Sequence, residues 1–393
     1  MSVVHDTRVP QVSFWNNPKM RGVVVQAIVV LALVAVGYEL YSNARVNLGK
    51  LGKTFGYEFW NQSSGFDILV SLIPYTNASS YGTAIIVGFL NTLLVAVLGI
   101  FFATIIGFVA GISRLSKNWL IAKIATVYVE IIRNIPLLLQ LFIWYKVVLA
   151  AVPDHKGAWT LAEMFYMSKK GLNMPAPVFS DGAVLGLIGI VVGIIGAVVI
   201  RHWARNRQMQ TGQTFPVFSA SLIIIILAPV IGLALAGWPL TFDYPLRGAF
   251  RFTGGTTIVP EFIALLVGLS VYTGSFIAEI VRAGIQAVSH GQTEAAGALG
   301  LRGGQVKRLV VIPQAMRIII PPMASQFLNL TKNSSLAVAI AYPDLVAMGG
   351  TVLNQTGKAI EVVLIWMVVY LSLSLLTSLF MNWFNSRVKL VER

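Results

Sequence analysis

Eight apolar runs, seven of them eighteen residues or longer, constrain this chain of 393 residues more than any other feature. They are Val23–Leu40, Ile85–Ile112, Ile124–Ala150, Gly182–Ile200, Phe215–Trp238, Val259–Arg282, Ala315–Leu330 and Ile360–Phe384. A helix of about 20 predominantly apolar residues crosses a hydrocarbon layer about 30 Å thick, and it satisfies its own backbone groups there. The pattern therefore predicts an all-α polytopic membrane protein with about eight spans. The third run carries Pro136 in its interior, and the seventh is short and expected to break at Pro321-Pro322.

Composition agrees: 56% of residues are hydrophobic and only 11% are charged, against about a quarter charged in soluble domains. The formal charge of +14 is then assigned to lysines and arginines at span ends, so no nucleic-acid partner is expected. There is no cysteine, which excludes disulfides, thiolate metal sites and a cysteine nucleophile. The first run follows a basic stretch, as a signal peptide would. It is longer than a usual signal core and no A-x-A site follows, so it reads as a retained helix.

Orientation follows from Lys and Arg. With the N-terminus inside, segments 1–21, 113–123, 201–215, 283–313 and 385–393 are all short and hold three each. The outer segments 43–84, 146–181, 238–258 and 330–359 are sparser for their length, which places both termini in the cytoplasm. Gly52-Lys53-Thr54 resembles the tail of a P-loop, but Asn47 stands where its first glycine belongs and a membrane run precedes it. No nucleotide site is expected in this chain. His5, His155, His202 and His290 have no ligand spacing, and no Ser/His/Asp set lies at membrane depth, so neither a metal site nor catalysis is expected.

One polar stretch is built to fold rather than to link: Ser289 to Pro313, SHGQTEAAGALGLRGGQVKRLVVIP. Ser289 and Gln292 stand in capping-box relation and predict a short helix. Gly300 supplies the left-handed residue that ends it. A second short helix is predicted from about Gln305 to Ile312, stopped by Pro313. Alanine and glycine on one side allow close approach of another backbone, and Arg302, Lys307 and Arg308 lie on the other.

Glu294-Ala295-Ala296, Gly300 and Val310-Val311-Ile312-Pro313 have the spacing of the EAA loop, and the stretch resembles that loop of the membrane subunits of bacterial ABC importers. The likeness extends outward. Tyr272, Ala278-Glu279, Arg282 and Gly284-Ile285 look like a helix of the polar amino acid permeases. Pro313-Gln314-Ala315, Pro321-Pro322 and Lys332-Asn333-Ser334-Ser335-Leu336 follow the same family pattern, as do Tyr128-Val129-Glu130, Arg133, Pro136-Leu137-Leu138 and Gln140-Leu141-Phe142. Asn134-Ile135 stand where that family usually has Gly-Thr. The extra N-terminal span and the inserted fourth and fifth spans are like those of the larger membrane subunit of the general L-amino acid permeases.

The resemblance implies a type I ABC importer transmembrane domain with a five-helix core and three additional helices. Its parts would be 1–80, a tail with an extra helix and outer loop; 81–150, the first core helices; 151–258, an insertion with two extra helices; and 259–393, the remaining core with the loop at 289–313. It implies that Gly291, Glu294, Ala295, Ala296, Gly300, Arg302 and Pro313 couple to a separate ATPase that holds ATP and Mg. It further implies a second homologous permease subunit, giving a heterodimer, a periplasmic amino acid binding protein, an L-amino acid substrate and the bacterial inner membrane.

Ionisable groups at membrane depth point to function. Glu130 with Arg133, and Glu279 with Arg282, are each one turn apart and can pair locally. The first pair reads as a pathway or gate element, with Arg133 near mid-depth of a continuous third span. The second is either a gate or an anchor that snorkels to the surface. Thr273 and Ser275 either line a polar route or bond their own helix, and Gln140 lies in the same candidate route. Asn329, Thr331 and Ser334 suggest an unwound helix end lining a cavity. Two function classes remain: the ATP-driven permease, and an ion-gradient-driven secondary amino acid transporter or channel. The second requires matching broken helices in two halves, and the sequence offers one broken span.

Overall fold

The computed structural model describes residues 18–50, 55–249 and 252–388. The tail before residue 18, Gly52-Lys53-Thr54, Arg251 and the last five residues lie outside the described residues. The helices are α1 (Pro18–Lys50), α2 (Tyr81–Ser113), α3 (Trp119–Asn134), α4 (Leu137–Ala151), α5 (Val184–Thr211), α6 (Val217–Leu235), α7 (Pro260–Gln286), α8 (His290–Ala298), α9 (Gly303–Val306), α10 (Ile312–Asn333), α11 (Leu345–Thr356) and α12 (Ala359–Val388). Six are long and apolar enough to span a membrane, or up to eight spans if each of two bent pairs counts as one.

The core forms around α2 and α7. A Cβ at Gly107 would lie 2.4 Å from Ile277 and one at Gly111 2.7 Å from the Ala278 carbonyl, so the GxxxG pair lets these two backbones touch. Leu141 of α4, Leu265, Leu269 and Ile277 of α7, and Ile319 and Leu330 of α10 complete one buried apolar cluster. In contrast α6 buries no residue, and α5 buries little beyond Gly186, Gly189 and Gly193, which pack on α6. A Cβ at Gly189 would meet the Ala228 carbonyl at 2.6 Å. The inserted helices are thus a hairpin closed on itself. α1 is exposed along its apolar length and meets Ile360 and Leu364 of α12 through Leu40, Tyr41 and Ala44 around one crevice.

Three expectations about the spans are corrected. The third span is not continuous: α3 and α4 meet at 112°. Ile135 is extended (φ −99°, ψ 128°), as the residue before a proline prefers, and Pro136 starts the new helix. Gln140 Nε2 donates to the Ile132 and Ile135 carbonyls at 2.7 and 2.9 Å, satisfying groups that the break leaves open. The seventh span runs through Pro321 and Pro322 without a break. Its helix changes instead at Ser334–Ile340, a 3-10 segment ending at Ala341 (φ +60°), and α11 leaves at 54°. Finally, 330–359 is not simply a loop, because the 12 residues of α11 lie within it. Asp344 accepts from Ala347 N at 2.8 Å, an N-cap before the apolar run Leu345–Leu353.

Segments 146–181 and 238–258, expected to be polar loops, also hold strands. β1 (Trp159–Leu161), β2 (Phe165–Ser168), β3 (Gly171–Met174) and β8 (Thr256–Ile258) form one antiparallel sheet in that order. β4 (Ala176–Phe179) pairs with β5 (Leu240–Asp243), and β6 (Leu246–Arg247) with β7 (Phe252–Thr253). Lys169 and Lys170 make the two-residue tip between β2 and β3. Gly171 (φ +119°) lets β3 approach β8, where a Cβ would lie 2.4 Å from the Ile258 carbonyl. These strands lie at the end where α7 begins, and the knob lies where α7 finishes.

Candidate functional site

At the knob end of α7, charges from three helices converge. Glu279 accepts from Arg282 Nη2 at 2.5 Å and from Arg114, the residue that ends α2. Arg133 Nη1, from the end of α3, lies 3.8 Å from the same carboxylate, with its guanidinium 5.0 Å over the Phe276 ring. Three guanidinium groups share one carboxylate, leaving two net positive charges. The Nε atoms of Arg114 and Arg282 are buried without partners, so the cluster is held by Glu279 and little else. Arg282 also donates to Gln286 Oε1 at 2.7 Å, toward the knob.

The expected Glu130–Arg133 pair does not form. Glu130 is exposed on α3, and the bend turns Arg133 to Glu279. Arg133 therefore sits at a helix end, 40% exposed, not at mid-depth of a continuous span. Glu279 with Arg282 does pair as predicted, and Arg114 is the partner that sequence reading missed. It lies 165 residues away, and only the α2–α7 packing brings it there.

The other candidates divide. Ser275 Oγ donates to the Tyr272 carbonyl, Thr331 Oγ1 to Phe327 and Ser334 Oγ to Thr331, all within their own helix or its continuation. Thr273 is buried on α7, and Asn329 is exposed on α10. A second polar group, also missed, lies toward the strand end of α2. Asn91 Nδ2 donates to the Val70 and Pro343 carbonyls at 2.9 Å each, and Thr92 Oγ1 accepts from Leu345 N at 3.0 Å. Asp344 is 1% exposed beside them, and its Oδ2 has no partner. The signal was present in Pro343-Asp344 ahead of an apolar run, an N-cap signature.

The knob itself begins at α8 with Ser289 at its N-cap, but the Ser289–Gln292 box does not close through side chains. Gln292 Oε1 instead accepts from Gln314 Nε2 at 3.2 Å, tying α8 to α10. Glu294 Oε1 meets His290 Nδ1 at 3.0 Å. Gly300 takes φ +78°; Leu301 N donates to the Ala296 carbonyl and Gly300 N to Gly297, the paired bonds of a Schellman ending. The second helix departs from expectation. α9 passes into a π-helical segment, Lys307–Val311, and then directly into α10, so Pro313 sits near the start of a helix instead of stopping one. The wider π turn comes just before the proline, whose missing donor costs least near a helix start.

Ala296 and Val306 are the buried members of the knob. Gly291, Glu294, Ala295 and Arg302 are exposed, and Leu299 is 82% exposed. Directly behind it, Gly284 of α7 packs on α10, where a Cβ would lie 2.4 Å from Ile319. The knob is therefore the turn between two helices locked together one turn past the charge cluster.

Comparison with known proteins agrees with this arrangement. The model of the family "Binding-protein-dependent transport system inner membrane component" matches residues 186–390, more than half of the chain. The General L-amino acid transport system permease protein AapQ of Rhizobium johnstonii is 52% identical over 96% of this chain and 94% of its own length. The Putative amino-acid ABC transporter permease protein YhdX of Escherichia coli is 46% identical, covering 96% of each chain. The Glutamate/glutamine/aspartate/asparagine transport system permease protein BztB of Rhodobacter capsulatus is 42% identical, again over 96% of each. With its apolar helices, its exposed knob and these relatives, the chain belongs to the family of binding-protein-dependent transport system inner membrane components, and it is a multi-pass membrane protein.

Proposed function

We propose that this chain is the permease subunit of an ATP-driven importer that carries L-amino acids of broad type across the bacterial inner membrane. It works with a second homologous permease, a periplasmic amino acid binding protein and separate ATPase subunits that hold ATP and Mg; the chain itself holds no cofactor. The observation that carries this reading is the knob. It is exposed, small-residue-rich and continuous with α7 and α10, which are locked at Gly284. An ATPase that seats α8 and then moves swings both helices together. That swing pulls Glu279 relative to Arg114 on α2 and Arg133 on α3, which rest on other helices. Exchange of one carboxylate among three guanidinium groups is a low-barrier way to open and close this end of the pathway, because a partner remains in each position.

The names of the relatives, all amino acid transport permeases, support the amino acid substrate. The ion-gradient alternative draws on the two bent spans, but their bends of 112° and 54° arise differently, one at a proline and one at a 3-10 segment, and do not make a repeat. Reconstitution of the assembled complex in vesicles tests the reading. Uptake of L-amino acids that requires ATP and the binding protein is expected. Uptake driven by a sodium or proton gradient without ATP would overturn it.

A further inference from the structure

At the strand end lies a cavity of about 860 Å³, within the roughly 300–1,000 Å³ usual for small-molecule sites. Its apolar lining includes Leu94 and Leu98 of α2, together with Val259 of the buried cluster and Phe262 packed against it. Its charged groups come from two sources. Glu261 stands on the first turn of α7, where Oε1 accepts from Tyr145 OH at 2.8 Å. Lys169 and Lys170, the tip of the β2–β3 hairpin, belong to the insertion. Asn173 fixes that wall: it is 3% exposed and its Oδ1 accepts from Thr257 Oγ1 at 2.7 Å, joining β3 to β8.

We propose that this cavity is an amino-acid-binding vestibule in which the hairpin lysines take the α-carboxylate and Glu261 takes the α-ammonium group. The proposal rests on the amino acid importer reading and adds a site to it. A zwitterion needs a cation and an anion within one hollow; Glu261 of α7 and the lysines of the β2–β3 hairpin line the same cavity. Lys169 is 3.0 Å from Asp154, but that pair is 47% and 81% exposed, and exposed pairs contribute little. A ligand carboxylate can replace Asp154 there at small cost. The segment 151–258 then contributes to the site through its strands, which line a cavity that α5 and α6 do not.

The test uses the complete importer in nanodiscs, without its binding protein, with radiolabelled L-glutamate and L-lysine as probes. Wild type is expected to bind both probes through the α-carboxylate and α-ammonium groups they share. Lys169→Gln with Lys170→Gln should weaken glutamate binding by about tenfold, the loss of a charge-assisted contact, while Lys169→Arg with Lys170→Arg retains it. Glu261→Gln should weaken both probes. Equal glutamate affinity in wild type and the double glutamine variant overturns the proposal. So does a wild type that imports glutamate with ATP and binding protein yet binds none free, a result that leaves the importer reading standing. A wild type that imports no amino acid under those conditions removes both.

Discussion

The α2–α7 seam and the α5–α6 hairpin both bring helix backbones together over glycine, at Gly107 and Gly111 in one and at Gly186, Gly189 and Gly193 in the other. They differ in what lies beside the glycines. The first seam carries buried Asn91, Thr92, Ser270, Thr273 and Ser275 and ends in the Arg114–Glu279–Arg282 cluster. The second carries aliphatic residues, and its outer faces remain exposed. Small residues thus report close packing in both places, and polar groups, which cost free energy at membrane depth, distinguish the first seam from the second.

The largest effect is expected from Glu279→Ala. It leaves Arg114, 11% exposed, and Arg282 facing each other without a counter-charge, a loss of about 2–3 kcal/mol. The assembled complex should unfold at lower temperature and its uptake should fall to background; normal uptake would break the distinction between the seams. Next is Gly300→Val. A non-glycine residue in a left-handed conformation costs about 1–2 kcal/mol, and Gly300 stands at φ +78°. Substrate-stimulated ATP hydrolysis should be lost while the chain still inserts, as measured on the purified complex.

The arginines sharpen the comparison. Arg114→Met should impair uptake more than Arg133→Met, since Arg133 is 40% exposed and 3.8 Å away. Equal defects in uptake would show that Arg133 acts on its own account. The smallest functional effect is expected at the hairpin. Gly189→Leu pushes a side chain into the Ala228 carbonyl and should lower stability by about 1–3 kcal/mol, with the KM for uptake unchanged.

Much of this was legible in sequence because it is local. Span positions follow from hydropathy, Gly300 from its place after a helical run, and the close approach at Gly107 from the GxxxG spacing. What was not legible depends on distant partners. Pro136 announces a break, but its 112° angle comes with Gln140 holding the freed carbonyls. Glu130 looked like the partner of Arg133 because it is one turn away, yet the bend hands Arg133 to Glu279. The strands are two to four residues long and pair across as many as 86 positions, as Leu172 with Ile258, so no periodicity marks them.

The central claim is that transport runs through the core seam and the knob, with the inserted membrane hairpin as support. Excision of residues 183–236 tests it most directly. β4 and β5 are already paired, and Ser180 N donates to the Pro239 carbonyl at 3.1 Å, so joining Gly182 to Gly237 closes an ordinary hairpin and leaves the outer strands in place. In the assembled, reconstituted complex the KM and maximal rate of ATP-driven uptake should stay within about twofold of wild type, as for energetically independent sites, even if yield falls. An excised complex that assembles, hydrolyses ATP and imports nothing would contradict the account.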